Sequence, residues 1–537
     1  MASLRYPGED TRLWYLPCID TVVLLGAFAL VARSGRRVSR VLLALVALLF
    51  WLVRLFRIGD AFSQHFFRQA FNLYVNLSLL PELPRLLLTT MPAFRFALLA
   101  TAIVGGALLA LLLTYAALRV AERCLLERPN RHLFAGVAVA FVALSLTPRT
   151  GPFAAVRPMA GCASARLVTE ASATLHAHSA YERERRAVAD ARARLKHMST
   201  DLAKLEGADV LLFIVESYGE TLLEDPAYTP RIQPELAAFD RELGALGYHI
   251  ASNVLDSPTF GGRSWFAHAA LDSGVKVENQ LEYQSLCSQK PLTIADFFRA
   301  AGYRTVLAQP ATERPLGPSD YLEFDQKYLA ASFDYRGPEF GWGRMPDQFA
   351  IDFVHRHELT THDKPRFVEY ALVSSHTPWL AEPSVLDDWS RVGDGSVLGA
   401  LPITHHDVDW SNVDRASDAY LDAVVYDLEV LRRYLASELH NDTLVVIVGD
   451  HQPPGGAARS STGAGVPIHV LSRKAGLVAP FLARGYAAGM APRVSPPHPG
   501  MQTFLFSFLR DFSADLRQTS TVTPAGRATS AAGEPTP

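Results

Sequence analysis

The chain has 537 residues, with 51 Lys and Arg against 54 Asp and Glu and a formal charge of −3. That length exceeds one compact domain, and the near-neutral balance supplies no basic face for nucleic acid. Hydrophobic residues make up 49% and concentrate in the first 150 residues, while the four cysteines include no C-x-x-C pair, which leaves neither a disulfide framework nor a thiolate metal site.

Four apolar runs open the chain: Trp14–Ala32, Val41–Leu55, Phe96–Leu118 and Leu133–Leu146. Each approaches the roughly 20 residues that a helix needs to cross a bilayer. Several such runs exclude a simple cleavable leader and predict a multi-pass membrane region over residues 1–150. The segment 67–88 is aromatic and leucine-rich but broken by Asn72, Asn76, Pro81, Glu82 and Pro84, so it either lies in the interface or makes a fifth span. Arg33, Arg36, Arg37 and Arg40 crowd one loop, and Arg119, Arg123, Arg128 and Arg131 another. With four spans and the N-terminus outside, both loops are cytoplasmic and everything after residue 150 faces outward.

Residues 151–207 contain a charged stretch centred on Tyr181-Glu-Arg-Glu-Arg-Arg186, which reads as a helical linker with a solvated face. From residue 208 to 513, short apolar runs alternate with helical patterns. The expected strands are 209–215, 248–254, 304–308, 367–373, 443–448 and 468–471; the expected helices are 292–301, 347–357, 414–435 and 501–512. This alternation predicts an α/β domain whose mostly parallel sheet is covered by helices on both faces. Residues 514–537, rich in Thr, Ser, Ala, Gly and Pro, read as a disordered tail. Cys162 and Cys287 both fall beyond the membrane region and are available to pair if it is exported.

Polar groups cluster at the ends of the expected strands, where open α/β sheets gather functional residues. The first strand ends in Glu216-Ser217, the one beginning at Phe367 in Ser374-Ser375-His376-Thr377-Pro378, and the one beginning at Thr443 in Gly449-Asp450-His451. Between them lies Thr259-Phe-Gly-Gly-Arg-Ser264, a glycine turn that places a hydroxyl at the first turn of a helix, where an anion is favoured. Taken alone, that serine is an ordinary helix cap and Glu216 a capping acid. Together, Glu216, Asp450 and His451 suit a divalent cation such as Mn²⁺ or Zn²⁺, with the Ser264 oxygen able to join the shell and become a nucleophile.

On these residues the chain resembles the alkaline phosphatase/sulfatase superfamily, and within it the membrane-anchored lipoteichoic acid synthase and phosphoglycerol transferase branch. The likeness covers about residues 205–510 and rests on Phe213-Ile-Val-Glu216-Ser217, the Ser264 turn, Ser375-His376-Thr377-Pro378 and Gly449-Asp450-His451. In the superfamily the nucleophile lies ten residues before a helix-closing glycine, and counting back from Gly274 selects Ser264 over the competing hydroxyl of Thr259. The resemblance implies one divalent metal (Mn²⁺ first, Zn²⁺ or Mg²⁺ as alternatives) on Glu216, Ser264, Asp450 and His451. It also implies a catalytic and group-binding His376, and headgroup contacts from Trp342, Arg344 and Asp347. Arg263, beside the nucleophile, is placed to pair with a phosphate oxygen.

The departures are informative. The lipoteichoic acid branch usually carries threonine where this chain has Ser264. Ser264 is followed by Trp265-Phe266-Ala267, not the x-Pro-Ser-Arg of sulfate-ester hydrolases, and the Ser-Val-Pro-Cys of phosphoethanolamine transferases is missing. The resulting expectation is a cell-membrane enzyme with its catalytic domain on the periplasmic or extracellular side. It would move a phosphoglycerol-type group from a phospholipid, with phosphatidylglycerol the suspected donor, to a glycan acceptor. A phosphodiesterase or phosphatase that uses water as acceptor shares the first step, and the residues do not separate the two.

Overall fold

A computed structural model of the chain describes residues 19–35, 37–69, 71–72, 93–146, 172, 177–313, 321–360, 363–406, 408, 413–459, 461, 463–494 and 496–514. The N-terminal part contains helices α1 (Ile19–Arg33), α2 (Arg40–Phe67), α3 (Ala93–Leu126) and α4 (Arg128–Leu146), which pack against one another. Two of them, α2 and α3, are long and apolar enough to cross a membrane. The described part of α1 has 15 residues, and α4 opens with Arg128 and carries Arg131 and His132 in its first turns. Most of the 67–88 segment lies outside the described residues. The two arginine-rich loops meet at one end of the bundle. There Arg131 donates to the Ala32 carbonyl at 2.7 Å, and buried Glu122 accepts the Val38 N–H at 2.7 Å while pairing with Arg119.

The linker helix α5 (Ala177–Lys196) leads to an eight-stranded sheet. Its strands are β1 (Asp209–Val215), β2 (His249–Asp256), β3 (Arg304–Gln309), β4 (Gln326–Leu329), β5 (Arg366–Leu372), β8 (Thr443–Gly449), β9 (Gly465–Ser472) and β10 (Ala487–Ala488), in the order β10-β2-β9-β8-β1-β5-β3-β4. A separate two-stranded ribbon pairs β6 (Ala381–Pro383) with β7 (Ile403–His405). From β8 through β4 the neighbours run parallel, and β9, β2 and β10 extend one side as antiparallel strands. The all-apolar runs of β1 and β8 are buried along their whole length because both faces are covered, as the unbroken hydrophobic pattern requires.

Alternate residues of β1 feed two cores. Leu211, Phe213 and Val215 pack on one face with helices α6 (Thr229–Ala245), α10 (Asp347–Val354) and α11 (Val413–Ser437). Val210, Leu212 and Ile214 pack on the other with α7 (Ser264–Ser273), α8 (Gln280–Ser288), α9 (Ile294–Ala300), α12 (Ala475–Ala483) and α13 (Phe504–Phe512). In the second core Phe298 stacks on Phe367 with centroids 4.1 Å apart. Cys287 is buried and unpaired, and Cys162 lies outside the described residues. Replacing the fully buried Phe298 with Ala removes a ring from this stack and leaves a cavity, for an expected loss of about 3–5 kcal/mol that thermal unfolding of the full chain will read.

Candidate active site

Strand register assembles the site. Val215 pairs with Gly449 on one side and with Leu372 on the other, so the residues one step beyond, Glu216, Asp450 and Val373, emerge side by side. The approach is close: a Cβ on Gly449 would lie 1.9 Å from the Tyr218 carbonyl oxygen, so the last position of β8 admits only glycine. Ser217 follows with a φ of 56°, a strained turn of the kind found at functional sites. Its N–H donates to Asp450 Oδ1 at 2.7 Å, and its hydroxyl donates to Glu216 Oε1 at 2.9 Å.

The nucleophile candidate comes from the other side of the cleft. Gly261 and Gly262 turn the chain into α7, whose first residue is Ser264 and whose C-terminus closes at Gly274 with φ of 68°. Ser264 Oγ lies 2.8 Å from Glu216 Oε2 and 3.2 Å from His451 Nε2. Thr259 is turned away, donating its hydroxyl to the Gly262 carbonyl at 2.7 Å. Arg263, which precedes the helix with φ of 64°, supplies no side-chain cap to its first turn.

Glu216, Asp450 and His451 each offer a ligand atom within 4.8 Å of the others, and all three are buried. His451 Nδ1 lies 2.8 Å from the Gln452 carbonyl, which assigns the ring proton there and leaves the Nε2 lone pair facing the carboxylates. Two carboxylate oxygens, an imidazole nitrogen and an adjacent hydroxyl form an N/O donor set that fits Mn²⁺ or Zn²⁺. The electrostatics point the same way. Burial works against ionisation of Glu216, but the fields of His451 and His376 and hydrogen bonds from Asp450 and Ser264 hold it at about 2. Burial and the Glu216 charge push Asp450 well up.

The loop after β5 carries His376, whose ring stacks on Trp342 at 4.9 Å and whose Nδ1 lies 2.5 Å from the Thr377 carbonyl. Trp342 is 40% exposed, while Arg344 stands on the surface, 3.9 Å from Glu313 and 3.8 Å from Glu339. Asp347 differs from the expectation of a headgroup contact. It is fully buried, and its carboxylate accepts the N–H groups of Val373 and Ser374 at 2.9 and 2.6 Å. It therefore braces the His376 loop from behind. Ser375 Oγ ties that loop to the Glu216 carbonyl at 2.5 Å.

One cluster was not anticipated. His268 and Asp272 follow Ser264 at four- and eight-residue spacing along α7, and His268 Nδ1 lies 3.7 Å from Glu369 Oε1 in the middle of β5. Asp272 and Glu369 are neighbouring buried acids; burial raises both, Glu369 to about 7, and the charge of Glu369 raises Asp272 further. The signal was present as a glutamate inside the otherwise apolar run of β5 and as polar residues at helical spacing inside α7.

Residues 268–484 match the Sulfatase family profile, so the resemblance to that family holds over less than half of the chain, a span that contains His376, Asp450 and His451 but begins after Ser264. Among solved structures, the phosphoglycerol transferase GacH of Streptococcus pyogenes, in complex with sn-glycerol-1-phosphate, is similar at 13% identity and a TM-score of 0.37, covering 62% of this chain and 91% of that one. The C-terminal periplasmic domain of EcEptC from Escherichia coli gives 14%, 0.38, 57% and 82%. The lipoteichoic acid synthase LtaP of Listeria monocytogenes gives 14%, 0.35, 57% and 75%. No curated protein matches significantly.

Because the metal-free fold keeps a proton on Asp450 that the unfolded chain loses above its ordinary value of 3.8, metal-free stability falls as pH rises from that value toward the raised one. A bound dication restores the ionised form. The stabilisation by Mn²⁺ or Zn²⁺, about 2.7 kcal/mol at a hundredfold excess over Kd, is therefore expected to grow as pH rises above that ordinary value, read as the Tm difference with and without chelator.

Proposed function

We propose that this sulfatase-family domain is a metal-dependent phosphotransferase that uses Ser264 to take a phosphoglycerol-type group from a membrane phospholipid and pass it to a glycan hydroxyl outside the cell. The observation that carries the reading is the position of the Ser264 hydroxyl. It stands at an uncapped helix N-terminus, 2.8 Å from Glu216 and 3.2 Å from His451, beside a three-residue ligand set.

Glu216, Asp450, His451 and Ser264 Oγ would hold one divalent ion, Mn²⁺ first and Zn²⁺ or Mg²⁺ as alternatives. Bound there, it lowers the serine pKa and offsets negative charge on the phosphoryl oxygens. Ser264 gives up its proton to solvent, and its Oγ forms the bond to phosphorus as the bond to the diacylglycerol oxygen breaks, with phosphatidylglycerol as donor. The departing oxygen takes a proton from His376, whose ring is held by Trp342 and the Thr377 carbonyl. The first-turn N–H groups of α7 and the Arg263 guanidinium face the phosphoryl charge. Trp342 and Arg344 edge the headgroup side, and Asp347 acts by bracing the loop of His376. An acceptor hydroxyl then attacks phosphorus and gives its proton to His376, which restores the one spent in the first step, while the released Ser264 oxygen regains a proton from solvent.

The apolar lengths of α2 and α3, and the arginine-rich loops gathered at one end of the bundle, support an integral membrane enzyme with the catalytic domain on the outer side. In that placement the lipid donor is delivered at high local concentration.

Incubation of the Mn²⁺-loaded full chain with phosphatidylglycerol vesicles is expected to add a glycerophosphoryl group to the Ser264 peptide in mass spectrometry. Ser264→Ala should abolish the adduct and lower turnover at least about a thousandfold. An active enzyme whose Ser264 is never modified contradicts the mechanism. Release of free glycerol phosphate in the presence of glycan acceptors identifies water as the acceptor.

A further inference from the structure

Helix α2 is 28 residues long, which at about 1.5 Å per residue is some 12 Å more than the roughly 30 Å hydrocarbon core. The surplus lies at its C-terminal end, where the chemistry changes. Asp60 is buried there, accepting from Gln64 Nε2 at 3.0 Å and from the Phe71 N–H at 2.9 Å, and the helix ends on Arg68 with φ of 52°.

That end sits on the turn carrying Ser264. A Cβ on Gly261 would lie 2.1 Å from the Phe66 carbonyl oxygen, and one on Gly262 would lie 3.1 Å from the Phe67 ring. Gly455, in the loop that follows Asp450 and His451, faces the Phe66 ring in the same way at 3.2 Å. The Arg68 guanidinium lies 5.1 Å over the Phe260 ring. Arg263 is gripped from two sides: its guanidinium lies 5.0 Å over the Phe67 ring and donates to Gln69 Oε1. Gln69 is itself anchored by donating Nε2 to the Glu278 carbonyl at 3.3 Å.

We infer that Phe67 and Gln69 are positioning residues for the reaction, clamping Arg263 so that its guanidinium and the adjoining Ser264 hydroxyl keep one orientation toward the phosphoryl group. The inference rests on Ser264 as nucleophile. It makes the end of a membrane-crossing helix one wall of the catalytic cleft, so the distance from the bilayer to the reacting phosphorus is set by the helix and not by a flexible linker. Loosening the clamp misplaces groups that act in the transition state, so it costs turnover on any phosphodiester, including one that never touches a membrane.

The test uses the full chain with two substrates, phosphatidylglycerol in vesicles and a water-soluble bis-aryl phosphodiester. Gln69→Leu, which keeps the volume and removes the acceptor, is expected to lower kcat about ten- to hundredfold on both, with KM for the lipid within about threefold of the wild type. Gln69→Glu keeps an acceptor for Arg263 and should retain most of the activity, an outcome that simple loss of fold would not give. A wild-type kcat in Gln69→Leu on both substrates overturns the inference, as does an effect confined to the lipid KM, which would make the contact a docking element only. Hydrogen exchange over residues 260–266 separates this inference from the nucleophile assignment. Faster exchange in Gln69→Leu supports the clamp whatever group Ser264 carries, and unchanged exchange removes it.

Discussion

The parallel pairing of β1 with β8 forces Glu216 and Asp450 out of adjacent strand ends into one buried pocket, and the rest of the site answers to that constraint. Two carboxylates so close cannot both be charged without a cation. The Gln452 carbonyl sets the His451 tautomer and leaves Nε2 turned toward the acids. Ser217 donates to both acids and holds them in place at the cost of a positive φ. A divalent ion held there would complete the balance, and the Ser264 hydroxyl already leans on the same carboxylate that would bind it.

Around this pocket, further buried acids support the moving parts. Asp347 braces the His376 loop through two backbone amides, with burial and the charge of Asp347 raising Asp427 nearby. On α7, His268 and Asp272 place ionisable groups in the core one and two turns after Ser264, beside Glu369 of β5. The walls of the cleft thus come from three sources: strand ends for the metal-type ligands, one helix start for Ser264, the proposed nucleophile, and the end of α2 for the contacts to Arg263 beside it.

Much of this was legible in the sequence because it is local. Unbroken apolar runs gave β1 and β8, and the polar residues directly after them could only project at strand ends, which located Glu216, Asp450 and His451. The glycine turn and the helix that closes at Gly274 located Ser264. What escaped depends on tertiary neighbours. Nothing in the run Thr-Leu-Val-Val-Ile-Val tells whether the next strand lies parallel, so the antiparallel direction of β9 and β2 was not legible, and the two-residue β10 was not expected. Asp347 looks like any acid opening a helix, and only packing shows that its carboxylate points inward. Gln69 and Arg263 are 194 residues apart, and no periodicity connects them.

Anomalous diffraction from crystals of the full chain grown with Mn²⁺ tests the central claim most directly. The account predicts one strong peak in contact, at about 2.0–2.2 Å, with a carboxylate oxygen of Glu216, one of Asp450, His451 Nε2 and the Ser264 oxygen. A metal bound elsewhere, or a well-ordered pocket that stays empty at saturating Mn²⁺ and equally at saturating Zn²⁺, would contradict it.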